Sequence, residues 1–88
     1  MFLLFPTSQF KKDLRLYKHD SLVLCELKKV LDLLAKNKKI PIQNKNHQLK
    51  GLFVGCFDCH IKPDVILIYK KEGKIIYLLR IGSHSKIF

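Results

Sequence analysis

Residues 56–60 read Cys-Phe-Asp-Cys-His, the C-x-x-C-H spelling of a c-type haem attachment site. What the spelling can do depends on which way the two thiols face. The surrounding residues predict a strand over about 54–61, in which Cys56, Asp58 and His60 project to one side while Phe57, Cys59 and Ile61 project to the other. Haem attachment presents both thiols to one macrocycle in an exported protein, and residues 1–6 have neither the basic start nor the apolar length of a signal peptide. Zinc would need a second Cys or His pair at finger-like spacing, with His47 or His84 left to complete the set. An odd number of cysteines, Cys25, Cys56 and Cys59, argues against a disulfide framework and for buried, reduced thiols.

The histidines suggest other chemistry. His47, His60 and His84 fall in a loop, near a strand end and just after a strand, and two neutral-range bases at one phosphate can share proton removal and proton delivery without a metal. Asp64, after Pro63 at the mouth of an apolar run, could orient a histidine or accept a proton, although Pro-Asp is also a common turn. Arg80 lies among Ile and Leu, where a guanidinium needs an anion: a structural carboxylate or a substrate phosphate. Phe88 could stack on a base or pin the tail to the core. Each histidine taken singly also fits a surface or capping role.

The elements that must position these residues follow from periodicity. Residues 3–5 are apolar and precede Pro6, which predicts a short strand, and Thr7 or Ser8 offers the cap of a helix ending near His19. Phe10, Leu14 and Tyr17 make its apolar stripe, with Lys11, Lys12, Arg15 and Lys18 on the other side. Asp20 or Ser21 caps a second helix in which Leu24, Leu27, Leu31 and Leu34 recur at helical spacing, and Pro41 closes it. The polar stretch 41–52 reads as a loop, followed by a meander of strands at about 54–61, 65–70 and 74–81. Residues 65–69, Val-Ile-Leu-Ile-Tyr, show no alternation, as expected of a central strand covered on both faces.

Eighty-eight residues suit one domain, 1–88, and a hydrophobic fraction of 48% is enough for a packed core. Seventeen Lys and Arg against seven Asp and Glu give +10, an excess that suits an anionic partner: nucleic acid, an acidic protein or an anionic surface. The longest apolar runs are strand-length, which predicts no membrane association and a cytoplasmic setting.

Residues 46–88, with HQLKG, GCFDCHIKPDVILIYK and LLRIGSHSKIF, resemble the C-terminal half of the YafQ branch of the RelE/ParE toxin superfamily, and FKKDLRLYKH at 10–19 resembles its first helix. The resemblance implies an α+β, RelE-like fold, with two N-terminal helices packed on a small four-stranded, mostly antiparallel sheet. It also implies an mRNA endoribonuclease (mRNA interferase) held silent by a cognate antitoxin. No metal or other cofactor is implied, and operator DNA is met only indirectly, through the antitoxin complex. The family's functional positions match His47, His60, Asp64, Arg80, His84 and Phe88, and by their charge near that site Lys45, Lys50 and Lys62 would hold RNA, free or on the ribosome. The sequence departs from the family at Asn46, where Asp is common, at Cys56-Phe57-Asp58, where Tyr-Arg-Glu is usual, and at Val65, where Trp or Leu is frequent. A ParE-like gyrase inhibitor or a plain basic RNA-binding module would share the charge and the scaffold but would not need the His60, Asp64 and His84 set.

Overall fold

The computed structural model describes residues 1–41, 44, 47–48 and 55–88. In chain order the elements are β1 (Leu3–Pro6), α1 (Ser8–Leu14), a 3₁₀ turn (Arg15–Tyr17), α2 (Ser21–Ala35), β2 (His47–Gln48), β3 (Cys56–Lys62), β4 (Val65–Glu72), β5 (Ile75–Gly82) and α3 (His84–Ile87). Thr7 makes the first junction. Its hydroxyl accepts the Phe10 N–H at 3.2 Å, capping α1, and donates to the Leu78 carbonyl at 2.8 Å, so the helix starts where β1 stops. The first helix is shorter than the apolar stripe suggests: after seven residues it tightens into the 3₁₀ turn and ends at Tyr17, not near His19. Asp20 then accepts the Val23 N–H at 3.2 Å and caps α2.

The stripe that α2 buries is only half the leucine row. Val23, Leu27, Val30 and Leu34 are buried, while Leu24 and Leu31, one position on and about 100° round the helix, are half-buried. The shorter valines meet the sheet, where close approach is possible, and Leu24 turns towards α1. Asn37, with φ 55°, ends the helix in the left-handed conformation, and the Lys38 N–H reaches back to the Leu33 carbonyl at 2.8 Å.

The strand order is β1-β5-β4-β3-β2, with β1 parallel to β5 and the other pairs antiparallel. The four expected strands are joined by a two-residue fifth, β2, inside the stretch expected to be loop. Gly73, with φ 59°, opens the two-residue turn between β4 and β5 as a type II′ hairpin requires. β4 is central and buried from Val65 to Tyr69 on both faces.

The two faces carry separate clusters. Cys59, Ile61, Val65, Leu67, Tyr69, Ile76, Leu78 and Ile81 meet Phe10 and the buried stripe of α2. On the opposite face Cys56, Ile66 and Ile68 pack with Leu79 and with Ile87 of α3. Cys56 and Cys59 therefore lie on opposite faces and cannot both attach to one macrocycle. Among the described residues no helix is long and apolar enough to cross a membrane.

Burial, with the Asp58 charge adding to it, pushes the Cys59 thiol up to about 12, so it stays protonated and inert at neutral pH. In the folded protein a thiol reagent should modify the exposed Cys25 rapidly and the buried Cys56 and Cys59 only on unfolding. Cys59→Ser should lower stability by about 1–3 kcal/mol, read by chemical denaturation, because it buries a hydroxyl in an apolar site.

Candidate active site

The register of the sheet brings the separated polar residues into two rows. Ile68 of β4 faces Arg80 of β5 on one side and Asp58 of β3 on the other, and Asp58 in turn faces His47 of β2. One step along, Ile66 faces Gly82 of β5 and His60 of β3. At about 4.8 Å per strand, His60 and Gly82 stand about 10 Å apart across the face that carries Cys56, Ile66 and Ile68. His84 follows Gly82 by two residues.

Local devices present each side chain. Ser83 caps α3 by accepting the Lys86 N–H at 3.3 Å, and Ile87 is fastened into the second cluster, which leaves His84 exposed at the start of a single helical turn. The His84 ring lies against Phe88, centroids 4.8 Å apart, and Phe88 is 51% exposed, so the pair offers one aromatic surface to solvent. His60 is half-buried, and its carbonyl accepts the side-chain N–H of Asn44 at 2.6 Å, which ties Asn44 to β3. An irregularity between His60 and Lys62 leads into the turn that exposes Asp64. Lys62 is half-buried at the end of β3. The side chain of His47, together with Lys45, Asn46 and Lys50, falls outside the described residues.

Arg80 has the most elaborate setting. β1 ends opposite Leu78, and one irregularity places Leu79 as the extra residue before Arg80, so the outer edge of β5 is open from there on. Asp13 of α1 fills that edge. Its carboxylate accepts Arg80 Nε at 2.7 Å, Arg80 Nη2 at 3.4 Å, the Ile81 backbone N–H at 3.2 Å and Gln9 Nε2 at 3.1 Å. Burial tends to raise this carboxyl's pKa, but the hydrogen bonds from Arg80, Ile81 and Gln9 outweigh it and hold the group below the usual aspartate range. Arg80 keeps its Nη1 uncommitted among the described residues and its side chain 26% exposed.

Two further residues belong here that their sequence context disguised. Asp13 is the one acid between residues 8 and 19, at a position flanking the apolar stripe; that lone inward-facing acid is the signal that an arginine elsewhere needed it. Tyr17, counted as stripe, has its phenol pushed up first by burial and then by the charges of Asp64, Asp13 and Asp20. Asp58 is 2% exposed in the row between Arg80 and His47. Its position was visible as a departure from the family pattern, not as a site residue. Among the described residues no group of three or more His, Cys, Asp or Glu could hold a metal ion.

A half-buried histidine and an exposed histidine on an aromatic shelf, with a guanidinium clamped at the sheet edge, are group types that can serve a phosphodiester as base, acid and counter-charge. Residues 3–88 match the family described as bacterial toxin of type II toxin-antitoxin system, YafQ. The chain belongs to the YafQ toxin family. It is 35% identical over 83 residues to the mRNA interferase toxin YafQ of Escherichia coli K12, covering 93% of this chain and 90% of that one. The crystal structure of a metal-bound toxin from Helicobacter pylori superposes with a TM-score of 0.91 at 33% identity, covering 100% of both chains. That of the E. coli DinJ-YafQ complex superposes with a TM-score of 0.89 at 32% identity, covering 100% of this chain and 99% of that one.

Asp13→Asn should cost about 1–3 kcal/mol, less than the loss of a fully buried ion pair because Arg80 is partly exposed. The sign of its pH dependence follows from the lowered folded-state pKa. The contribution is fully present above the unfolded aspartate value and is lost as pH falls through the folded one, so the parent's advantage over Asp13→Asn should hold at neutrality and shrink below about pH 4. Denaturant titrations of both proteins across that range check it; an advantage that persists undiminished in strong acid would show that Asp13 does not act through its charge.

Proposed function

We propose that this chain is an mRNA endoribonuclease, the toxin of a type II toxin–antitoxin pair, that cleaves by acid/base chemistry without a metal. The observation that carries the reading is the pair of adjacent sheet rows, which sets His60 about 10 Å from the strand end that leads to His84, with Arg80 one row away. RNA brings its own nucleophile. The enzyme has to take the ribose 2′-hydroxyl proton, balance charge on the crowded phosphate and return a proton to the leaving 5′-oxygen.

His60 or His47, with Asp64, takes the first proton. Arg80 turns its free Nη1 to the phosphate while Asp13 holds the other edge of the guanidinium. His84, exposed and backed by Phe88, delivers the second proton. The phosphorus–5′-oxygen bond breaks as the 2′-oxygen bond forms, leaving a 2′,3′-cyclic phosphate or its hydrolysed 3′-phosphate and a 5′-hydroxyl. Lys45, Lys50 and Lys62 hold the RNA backbone, and Phe88 offers a ring to a base. A cognate antitoxin keeps the protein silent in the cytoplasm, a reading that the E. coli DinJ-YafQ complex supports by analogy.

The test is purified protein with mRNA, with and without ribosomes, in excess EDTA, followed by mapping of both ends. Cleavage leaving 5′-hydroxyl ends is expected to survive chelation. His60→Ala, His84→Ala and Arg80→Ala should each reduce the rate by about 10²–10⁴-fold with the fold retained. Loss of cleavage in EDTA, restored by one divalent ion, would replace the two-histidine chemistry with a metal-assisted one.

A further inference from the structure

Two aromatic rings stand exposed where β1 joins the sheet. Phe5 of β1 faces Tyr77 of β5 in register, and the rings meet edge to face, centroids 5.6 Å apart and planes at 69°. Strand alternation puts both on the face that carries Ile66, Ile68 and Leu79 and, opposite Ile66, His60; Ile76 and Leu78 meet the helices on the other face. Phe5 is 55% exposed and Leu3 beside it 70%, while Ile75 and Tyr77 are half-buried. Among the described residues the cluster fastened by Ile87 takes in Leu79 but stops short of Tyr77. Tyr77 precedes Arg80 by three residues, about 10 Å along β5.

We propose that Phe5 and Tyr77 form a stacking platform for a base of the RNA substrate, outside the phosphodiester that reacts; the proposal rests on the ribonuclease reading. The chemistry needs one phosphate at Arg80, but a single strand lying there continues past it, and β5 leads from Arg80 to the aromatic pair. The exposed Phe5 ring is a flat apolar surface on which any base can stack, while the chain's net +10 attracts the phosphates on either side. The neighbouring cation of β4, Lys70 opposite Tyr77, is engaged by Glu72 at 3.0 Å, so the subsite holds its base through the rings rather than through charge. A protein strand added to β1 is poorly served. The N–H groups of Leu3 and Thr7 are spent on the Lys74 and Leu78 carbonyls, that of Phe2 on the Ala35 carbonyl, and Pro6 has none.

The probes are two fluorescein-labelled chains of about 12 units, titrated by anisotropy against the full protein. One is an oligoadenylate 2′-O-methylated throughout so that it cannot be cut; the other has the same sugars and phosphates without bases. The parent is expected to prefer the oligoadenylate. Phe5→Leu and Tyr77→Leu, which keep apolar bulk but lose the ring, should each reduce that preference by about tenfold, leaving the abasic chain's affinity, its salt dependence and the melting temperature near the parent's. Equal binding of both probes by the parent, a parent-like preference in both variants, or equal weakening towards both probes would overturn the proposal. An unchanged preference accompanied by altered sedimentation of the variants would assign the rings to contact with a second copy instead. Cleavage of mRNA in EDTA is read separately on the same proteins. Cleavage without a ring-dependent preference removes the platform and leaves the ribonuclease reading, whereas a ring-dependent preference without cleavage does the reverse.

Discussion

One carboxylate holds the architecture to the chemistry. β5 is paired on its outer side only as far as Leu78, and beyond that point a strand of apolar residues would expose unsatisfied N–H groups and a lone guanidinium at the edge. Asp13 answers both needs, accepting the Ile81 N–H and two nitrogens of Arg80. For that carboxylate to arrive, β1 has to stop early, Thr7 has to turn the chain into α1 against the Leu78 carbonyl, and Leu79 has to be inserted as the extra residue that rotates Arg80 to the edge. Each of these is a local departure from regular structure, and all of them converge on one atom group.

The remainder of the fold separates tasks by sheet face. The helices and the large cluster occupy one side and supply burial, while the smaller cluster of Cys56, Ile66, Ile68, Leu79 and Ile87 on the other mainly fastens α3 so that His84 projects from a fixed turn. Strand alternation is what lets Cys59 serve the first purpose and His60 the second though they are adjacent in the chain. The buried, protonated Cys59 thiol and the half-buried His60 are consequences of the same pleat.

This division explains which features could be seen in the chain and which could not. The unbroken apolar run 65–69 reads directly as a central strand, and the opposite facing of Cys56 and Cys59 follows from period two alone. The leucine row of α2 is right at Leu27 and Leu34 and misleads at Leu24 and Leu31, because size is not the criterion at a helix–sheet contact; Val23 and Val30 permit closer approach, and nothing local to the helix says so. Arg80 announced the need for an anion but not its source, since Asp13 lies 67 residues away and only tertiary structure brings them together. β2 is two residues long within a polar stretch, too short for any periodicity to register. Tyr17 looked like stripe because its apolar ring does lie there; its hydroxyl is what feels burial and the charges of Asp64, Asp13 and Asp20.

The most direct test of the account is a crystal structure of the chain bound to a short RNA carrying a 2′-O-methyl group at the cleavage position. The account predicts the blocked phosphate at Arg80 Nη1, with Asp13 still on Nε and Nη2 and with His60 and His84 on opposite sides of the phosphorus. A phosphate bound elsewhere, or an Arg80 that abandons Asp13 to reach it, would contradict the claim that the edge clamp prepares the guanidinium for the reaction.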